Sequence, residues 1–139
     1  MTQFVRRIQN SRFLRFALVG SAGFFVDEGV LWLMHSGLGL DPFTGRAISI
    51  LSAMSFTWWG NRTITFSAHA AVGAGAILQE WSRFVAANAF GAVVNYGTFW
   101  SLLNFAPAPF NNAYLATAIG VGVGLIFNFT LSKRFVFRA

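Results

Sequence analysis

The chain is one two-helix unit written twice. Arg15, Phe16, Gly23, Val26, Gly29 and Trp32 recur as Arg83, Phe84, Gly91, Val94, Gly97 and Trp100, each displaced by 68 positions. Six identities therefore fall within the eighteen positions from 15 to 32. The units close on Asn61-Arg62-Thr63-Ile64-Thr65-Phe66 and on Ser132-Lys133-Arg134-Phe135-Val136-Phe137, where the displacement is 71. A duplicated apolar hairpin restricts the fold to a pseudosymmetric helix bundle, and such bundles commonly hold a site between their halves.

Each unit reads as a pair of membrane-crossing helices. A span needs about 20 predominantly apolar residues, and stretches near 14–35, 43–61, 83–105 and 112–132 supply them. Hydrophobic residues make up 55% of the 139 and charged residues 10%, so the helices lack the polar face that a soluble bundle requires. The expected fold class is all-α: an integral membrane four-helix bundle of two parallel two-helix repeats, forming a single domain. Repeat 1 covers about 12–66, a cytoplasmic linker 67–82, and repeat 2 about 83–138. The alternation in Thr63-Ile64-Thr65-Phe66 and Phe135-Val136-Phe137 has β character, which predicts two short cytoplasmic strands pairing under the bundle. Small residues four apart, Gly120 and Gly124, correspond to Ser49 and Ala53 under the second displacement. They predict close packing of the second helix on the fourth, the other reading being a homodimer interface.

The distribution of charge sets the topology. Nine of the ten basic residues (Arg6, Arg7, Arg12, Arg15, Arg62, Arg83, Lys133, Arg134 and Arg138) lie on one side of a four-span chain, and Arg46 alone on the other. The positive-inside rule puts both termini and the 67–82 linker in the cytoplasm. A net charge of +6 invites a nucleic-acid reading, but such a surface would gather its cations on one soluble face. No nucleic acid partner is expected. The start, Met1-Thr2-Gln3-Phe4, does not read as a cleavable leader, and the absence of cysteine excludes disulfides.

The pattern Arg15-Phe16-(x)3-Gly20-(x)2-Gly23-(x)3-Asp27, followed by Asn61-Arg62-(x)3-Phe66, resembles the GtrA-like family of small four-helix bacterial membrane proteins. The second half repeats it and ends Asn128-(x)4-Lys133-(x)3-Phe137, so the resemblance runs from Arg12 to Arg138. It implies a bacterial inner-membrane location and a part in cell-surface polysaccharide synthesis. The implied partners are a polyprenyl-phosphate-linked sugar lipid, membrane lipids and a membrane glycosyltransferase. The sequence departs from internal symmetry where Asn95 stands at the counterpart of Asp27 and Ser132 at that of Asn61.

Polar groups inside the spans are the candidate site residues. Asp27 lies about 18 Å along its helix from Arg15 at ~1.5 Å per residue, past the midplane. A carboxylate near the bilayer centre costs about 2.5–3.5 kcal/mol on insertion scales. Asp27 therefore is kept as a neutral acid, pairs with Arg46 across the first hairpin, or handles substrate or protons. Asn88 and Asn95, seven apart on one helical face, and Asn128 on the last helix either bond between helices or contact sugar hydroxyls and phosphate oxygens. Arg62 and Lys133 correspond under the second displacement and would suit a lipid phosphate at headgroup depth; the plainer reading is topology alone.

Enzyme chemistry finds little support. There is no cysteine, and the two histidines, His35 and His69, fall on opposite sides of the membrane, so no metal site is expected. Gly120-Val121-Gly122-Val123-Gly124 lacks the preceding strand of a dinucleotide fingerprint. No cofactor is called for. Three function classes remain: a flippase for polyprenyl-phosphate-linked sugars, a non-transporting anchor or accessory subunit for a glycosyltransferase, and a small multidrug-type exporter.

Overall fold

The computed structural model describes residues 2–139, with the side chains of Pro42, Phe43 and Tyr114 set aside. The described residues form helices and no strand. An amphipathic helix α1 (Thr2–Asn10) precedes four longer ones: α2 (Arg12–Trp32), α3 (Pro42–Gly60), α4 (Ala74–Phe105) and α5 (Ala113–Leu131). Local chemistry sets the starts. The Ser11 hydroxyl accepts from Leu14 N–H at 3.3 Å, separating α1 from α2. Asp41 accepts from Thr44 N–H at 3.0 Å, with Pro42 in the first turn of α3 where its missing N–H is harmless. Asn112 caps α5 through Leu115 N–H at 3.3 Å.

Helices α2, α3 and α5 each run on into one turn of π-helix: Leu33–Gly37, Asn61–Thr65 and Ser132–Val136. The latter two are the segments expected as strands, and that expectation is corrected here. Phe66 N–H reaches Asn61 C=O at 2.8 Å and Phe137 N–H reaches Ser132 C=O at 2.9 Å, so the backbone closes on itself and leaves no ladder to share. The two segments still meet, through side chains. Phe66 and Phe137, counterparts under the 71-residue displacement, stack with centroids 4.8 Å apart. Phe16 and Phe84, counterparts under the 68-residue displacement, pack in the same buried cluster with Val136 and Ala87. The core therefore sits at the end of the molecule that carries the basic residues.

The helices pair as α2 with α3 and α4 with α5. The hairpins touch chiefly through α3 against α4, and more lightly through α2 against α5. Helices α3 and α5 do not pack together, which corrects the expected role of the small residues. Gly120 and Gly124 instead face Asn95 and Gly91 of α4, inside their own hairpin. Close approach recurs at equivalent points of both hairpins. A Cβ on Gly23 would overlap the Thr57 methyl, and one on Gly91 would overlap the Asn128 amide. These contacts are related by the displacements 68 and 71.

Helix α4 begins nine residues ahead of the expected 83, at Ala74, and its 32 residues span about 48 Å. Two segments, Arg12–Gly37 and Leu115–Val136, are long and apolar enough to cross a membrane. Large apolar side chains face outward over much of the surface; Phe25 is 73% exposed and Val93 70%. So extensive an exposed apolar surface belongs against lipid.

Candidate functional site

A cavity of about 500 Å³ lies between the two hairpins. Its walls come from Gly20 and Ser21 of α2, Met54 of α3, and the three amides Asn88, Asn95 and Asn128. The sequence placed two of these amides on one face of α4; the fold adds the third from α5. Among the described residues, no Asp, Glu, Lys, Arg or His lines the space. Asn88 commits its Nδ2 to Phe84 C=O at 2.9 Å, which leaves its side-chain carbonyl for another donor. Asn95 packs over Gly120 and Gly124. Asn128 fills the notch at Gly91, and its Oδ1 is buried with no hydrogen-bond partner among the described residues. A buried acceptor without a donor costs about 1–3 kcal/mol. An uncharged cavity with spare acceptors and a missing donor is chemically suited to a hydroxylated, neutral group.

Asp27 and Arg46 stand apart from this cavity. Arg46 donates to Asp27 Oδ2 at 2.8 Å, joining α2 to α3 across the first hairpin. The carboxylate side chain is 16% exposed and the guanidinium side chain 48%. Asp27 Oδ1 is buried and without a partner among the described residues. Of the readings of Asp27, this geometry is that of the pair.

The structure gives Arg62 a neighbour that the sequence did not suggest. Arg62 Nε donates to Glu80 Oε1 at 3.0 Å, and its Nη2 to Ala71 C=O at 2.6 Å. Its guanidinium also lies over the Trp58 ring, 5.4 Å from the centroid. Glu80, 3% exposed, accepts further from Trp58 Nε1 at 3.0 Å and from Ala71 N–H. The Arg62 fork is thus spent on closing the end of α3 against the start of α4. Lys133 is half-buried on the other hairpin, and no ion pair engages it among the described residues. The structure does not bring Arg62 and Lys133 into a shared contact. One signal did exist for Glu80: of four acidic residues, it alone lies among the nine cations of the basic end.

The family model for the GtrA/DPMS transmembrane domain matches residues 15–138, nearly all of both hairpins. The chain belongs to that family. GtrA/DPMS transmembrane domains are membrane units, in keeping with the outward-facing Phe25 and Val93 and with the two spans noted above. Among curated proteins, this GtrA/DPMS chain is similar to a dolichol-phosphate mannosyltransferase of Pyrococcus furiosus, 32% identical over 93 residues. The match takes in 66% of the chain and 25% of the mannosyltransferase. The chain therefore spans about a quarter of the length of that relative.

Proposed function

We propose that the chain moves a polyprenyl-phosphate-linked sugar across the bacterial inner membrane, for use in cell-surface polysaccharide synthesis. In this reading the two hairpins cross the bilayer four times as parallel repeats, with both termini in the cytoplasm. The observation that carries it is the uncharged, amide-lined cavity between the hairpins. A neutral sugar must shed its water to pass hydrocarbon, and Asn88, Asn95 and Asn128 offer replacement hydrogen bonds along the way. The orphaned Asn128 acceptor matches a sugar hydroxyl donor. No bond-making step falls to these residues; the sugar is carried unchanged. The exporter reading is weaker, because it needs a lone buried acid and Asp27 has Arg46 at 2.8 Å.

A second reading draws on the relative. A mannosyltransferase that shares a quarter of its length with this chain supports an accessory role, in which the bundle seats a glycosyltransferase beside its lipid substrate. Reconstitution separates the two. Purified protein in vesicles, given a fluorescent polyprenyl-phosphoryl sugar in one leaflet, should speed its appearance in the other well above protein-free vesicles. No acceleration without a glycosyltransferase, together with co-purification of such an enzyme, would establish the accessory role instead.

A further inference from the structure

The internal repeat reaches the surface, where it makes two grooves of the same design and different fate. One, of about 600 Å³, follows the basic end of the α4–α5 hairpin; Phe90, Leu131 and Phe135 form its floor, and Arg83, Arg134 and Arg138 its rim. The other, of about 360 Å³, follows the α2–α3 hairpin. Arg15, Gly60 and Ile64 line it at the positions that correspond to Arg83, Leu131 and Phe135. In this first copy α1 narrows the place. Ile8 and Gln9 of α1 wall the groove, and Arg15 donates to Gln9 C=O at 2.7 Å and to Thr65 C=O at 3.5 Å. Thr63 and Ser67 stand where the second copy has Arg134 and Arg138.

In the second copy α1 does not line the groove. No ion pair or hydrogen bond engages the guanidinium groups of Arg83, Arg134 and Arg138 among the described residues. Glu80 lines the adjacent cavity with Arg83 and Arg138, but its carboxylate is already met by Trp58, Arg62 and Ala71. The backbone at Arg138 is also unusual. Its φ of 50° is left-handed, and Ala139 N–H closes a turn onto Lys133 C=O at 2.6 Å. Glycine serves such a helix-ending position at little cost, whereas other residues lose about 1–2 kcal/mol there. The chain has an arginine at this position and so gains a third cation on the rim.

We propose that the α4–α5 groove binds a lipid phosphomonoester. Its phosphate would sit among Arg83, Arg134 and Arg138, with the first carbons of its tail along Phe90, Leu131 and Phe135. The α2–α3 counterpart is smaller, walled by Ile8 and Gln9, and has Arg15 alone on its rim, so the molecule has one such site and not two. Guanidinium forks match phosphate oxygens bidentately, and three of them balance a dianion better than they balance a singly charged phosphodiester. Exposed rings on the floor favour a phosphate with an apolar tail over a free ion. The carried sugar-lipid is itself a phosphodiester, so the site deepens the transport reading by holding the sugar-free lipid phosphate, and it rests on that reading only for the tail being isoprenoid.

Equilibrium binding of radiolabelled farnesyl phosphate to the purified full chain in neutral detergent tests it. R134Q/R138Q should weaken binding by about tenfold or more, from two lost charge-assisted contacts, and R15Q by less than about twofold, because Arg15 is held by α1. Excess farnesol, inorganic phosphate or phosphatidylglycerol should fail to displace the ligand. Equal losses in R15Q and R134Q/R138Q, unchanged binding in the double variant, or displacement by inorganic phosphate or phosphatidylglycerol would each overturn the site. If the double variant does not fold, F135E puts a repelling carboxylate on an exposed floor residue and gives the same readout. Flipping that fails while farnesyl phosphate binding holds overturns transport and leaves the site; unchanged binding by R134Q/R138Q with flipping intact does the reverse.

Discussion

At Asn128, packing and polarity pull in opposite directions. Its amide fills the space at Gly91, yet Oδ1 has no donor. Asn128→Leu, close in volume, removes the unmet acceptor. The variant should unfold at or above the parent temperature, because about 1–3 kcal/mol of unmet polarity is relieved, while sugar transfer falls by about tenfold for one lost hydrogen-bond site. A lower midpoint with transfer intact would assign Asn128 to packing alone. Gly91→Ala should behave in the opposite way, losing about 1–3 kcal/mol from overpacking as its methyl group meets the amide. For Asp27, the 2.8 Å pair predicts that Asp27→Asn with Arg46→Gln recovers activity lost in Asp27→Asn alone; no recovery would mean that the carboxylate acts in its own right. These polar residues were legible because each interrupts an apolar run. Glu80 was not, since it sat in a stretch read as linker, and its meaning depends on Arg62 and Trp58, 18 and 22 residues away in sequence.

At the scale of the element, long apolar helices declared themselves and their ends did not. Helices α2 to α5 fall on the four expected stretches within a few residues, except that α4 starts early; among the described residues only Arg12–Gly37 and Leu115–Val136 are long and apolar enough to cross a membrane. The Ala- and Gly-rich run before Arg83 has weak helix signals, and it is helical where Glu80 and Trp81 fasten it to α3. Trp81 Nε1 reaches Ser55 Oγ at 3.1 Å alongside the Glu80 contacts. Helix α1 escaped notice because nine polar-leaning residues carry no span signal; its place in the wall of the α2–α3 groove exists only in three dimensions. The predicted strands failed for a related reason. Four alternating residues cannot distinguish a strand from a π turn, and the partner a strand needs was never specified. Glu80→Ala tests the fastening directly. Removing one partner of this buried pair strands Arg62 and should cost about 3–5 kcal/mol, read as a drop in the thermal midpoint. A loss below about 1 kcal/mol, the range of exposed pairs, would show that the cluster contributes little.

For the whole molecule, orientation rests on the split of nine cations against one. A reporter active only outside the cytoplasm, fused after Ala139, should stay silent, and one placed in the turn near Leu38 should be active. Strong signal from the first would invert the topology. Residues related by the two displacements make contacts in the structure: Gly23 on Thr57 and Gly91 on Asn128, Phe66 on Phe137. What the repeat could not reveal was that α1 walls one groove and leaves the other, because α1 lies outside both copies.

The clustering of buried rings at one end has a mechanical consequence. Phe16, Phe66, Phe84 and Phe137 knit the hairpins together there, whereas no comparable buried cluster joins them towards Leu38 and Phe110 among the described residues. Such a body resembles tongs, with a rivet at one end and free tips at the other. Because the chain is cysteine-free, spin labels can be introduced at chosen pairs without altering other thiols. Labels at Ile64 and Phe135, both exposed beside the rivet, should report a narrow distribution of separations. Labels at Leu38 and Phe110, exposed at the tips, should report a broad one that tightens when sugar-lipid occupies the space between the arms. Equal widths at both ends would mean a rigid block, through which a sugar could pass only by some other route.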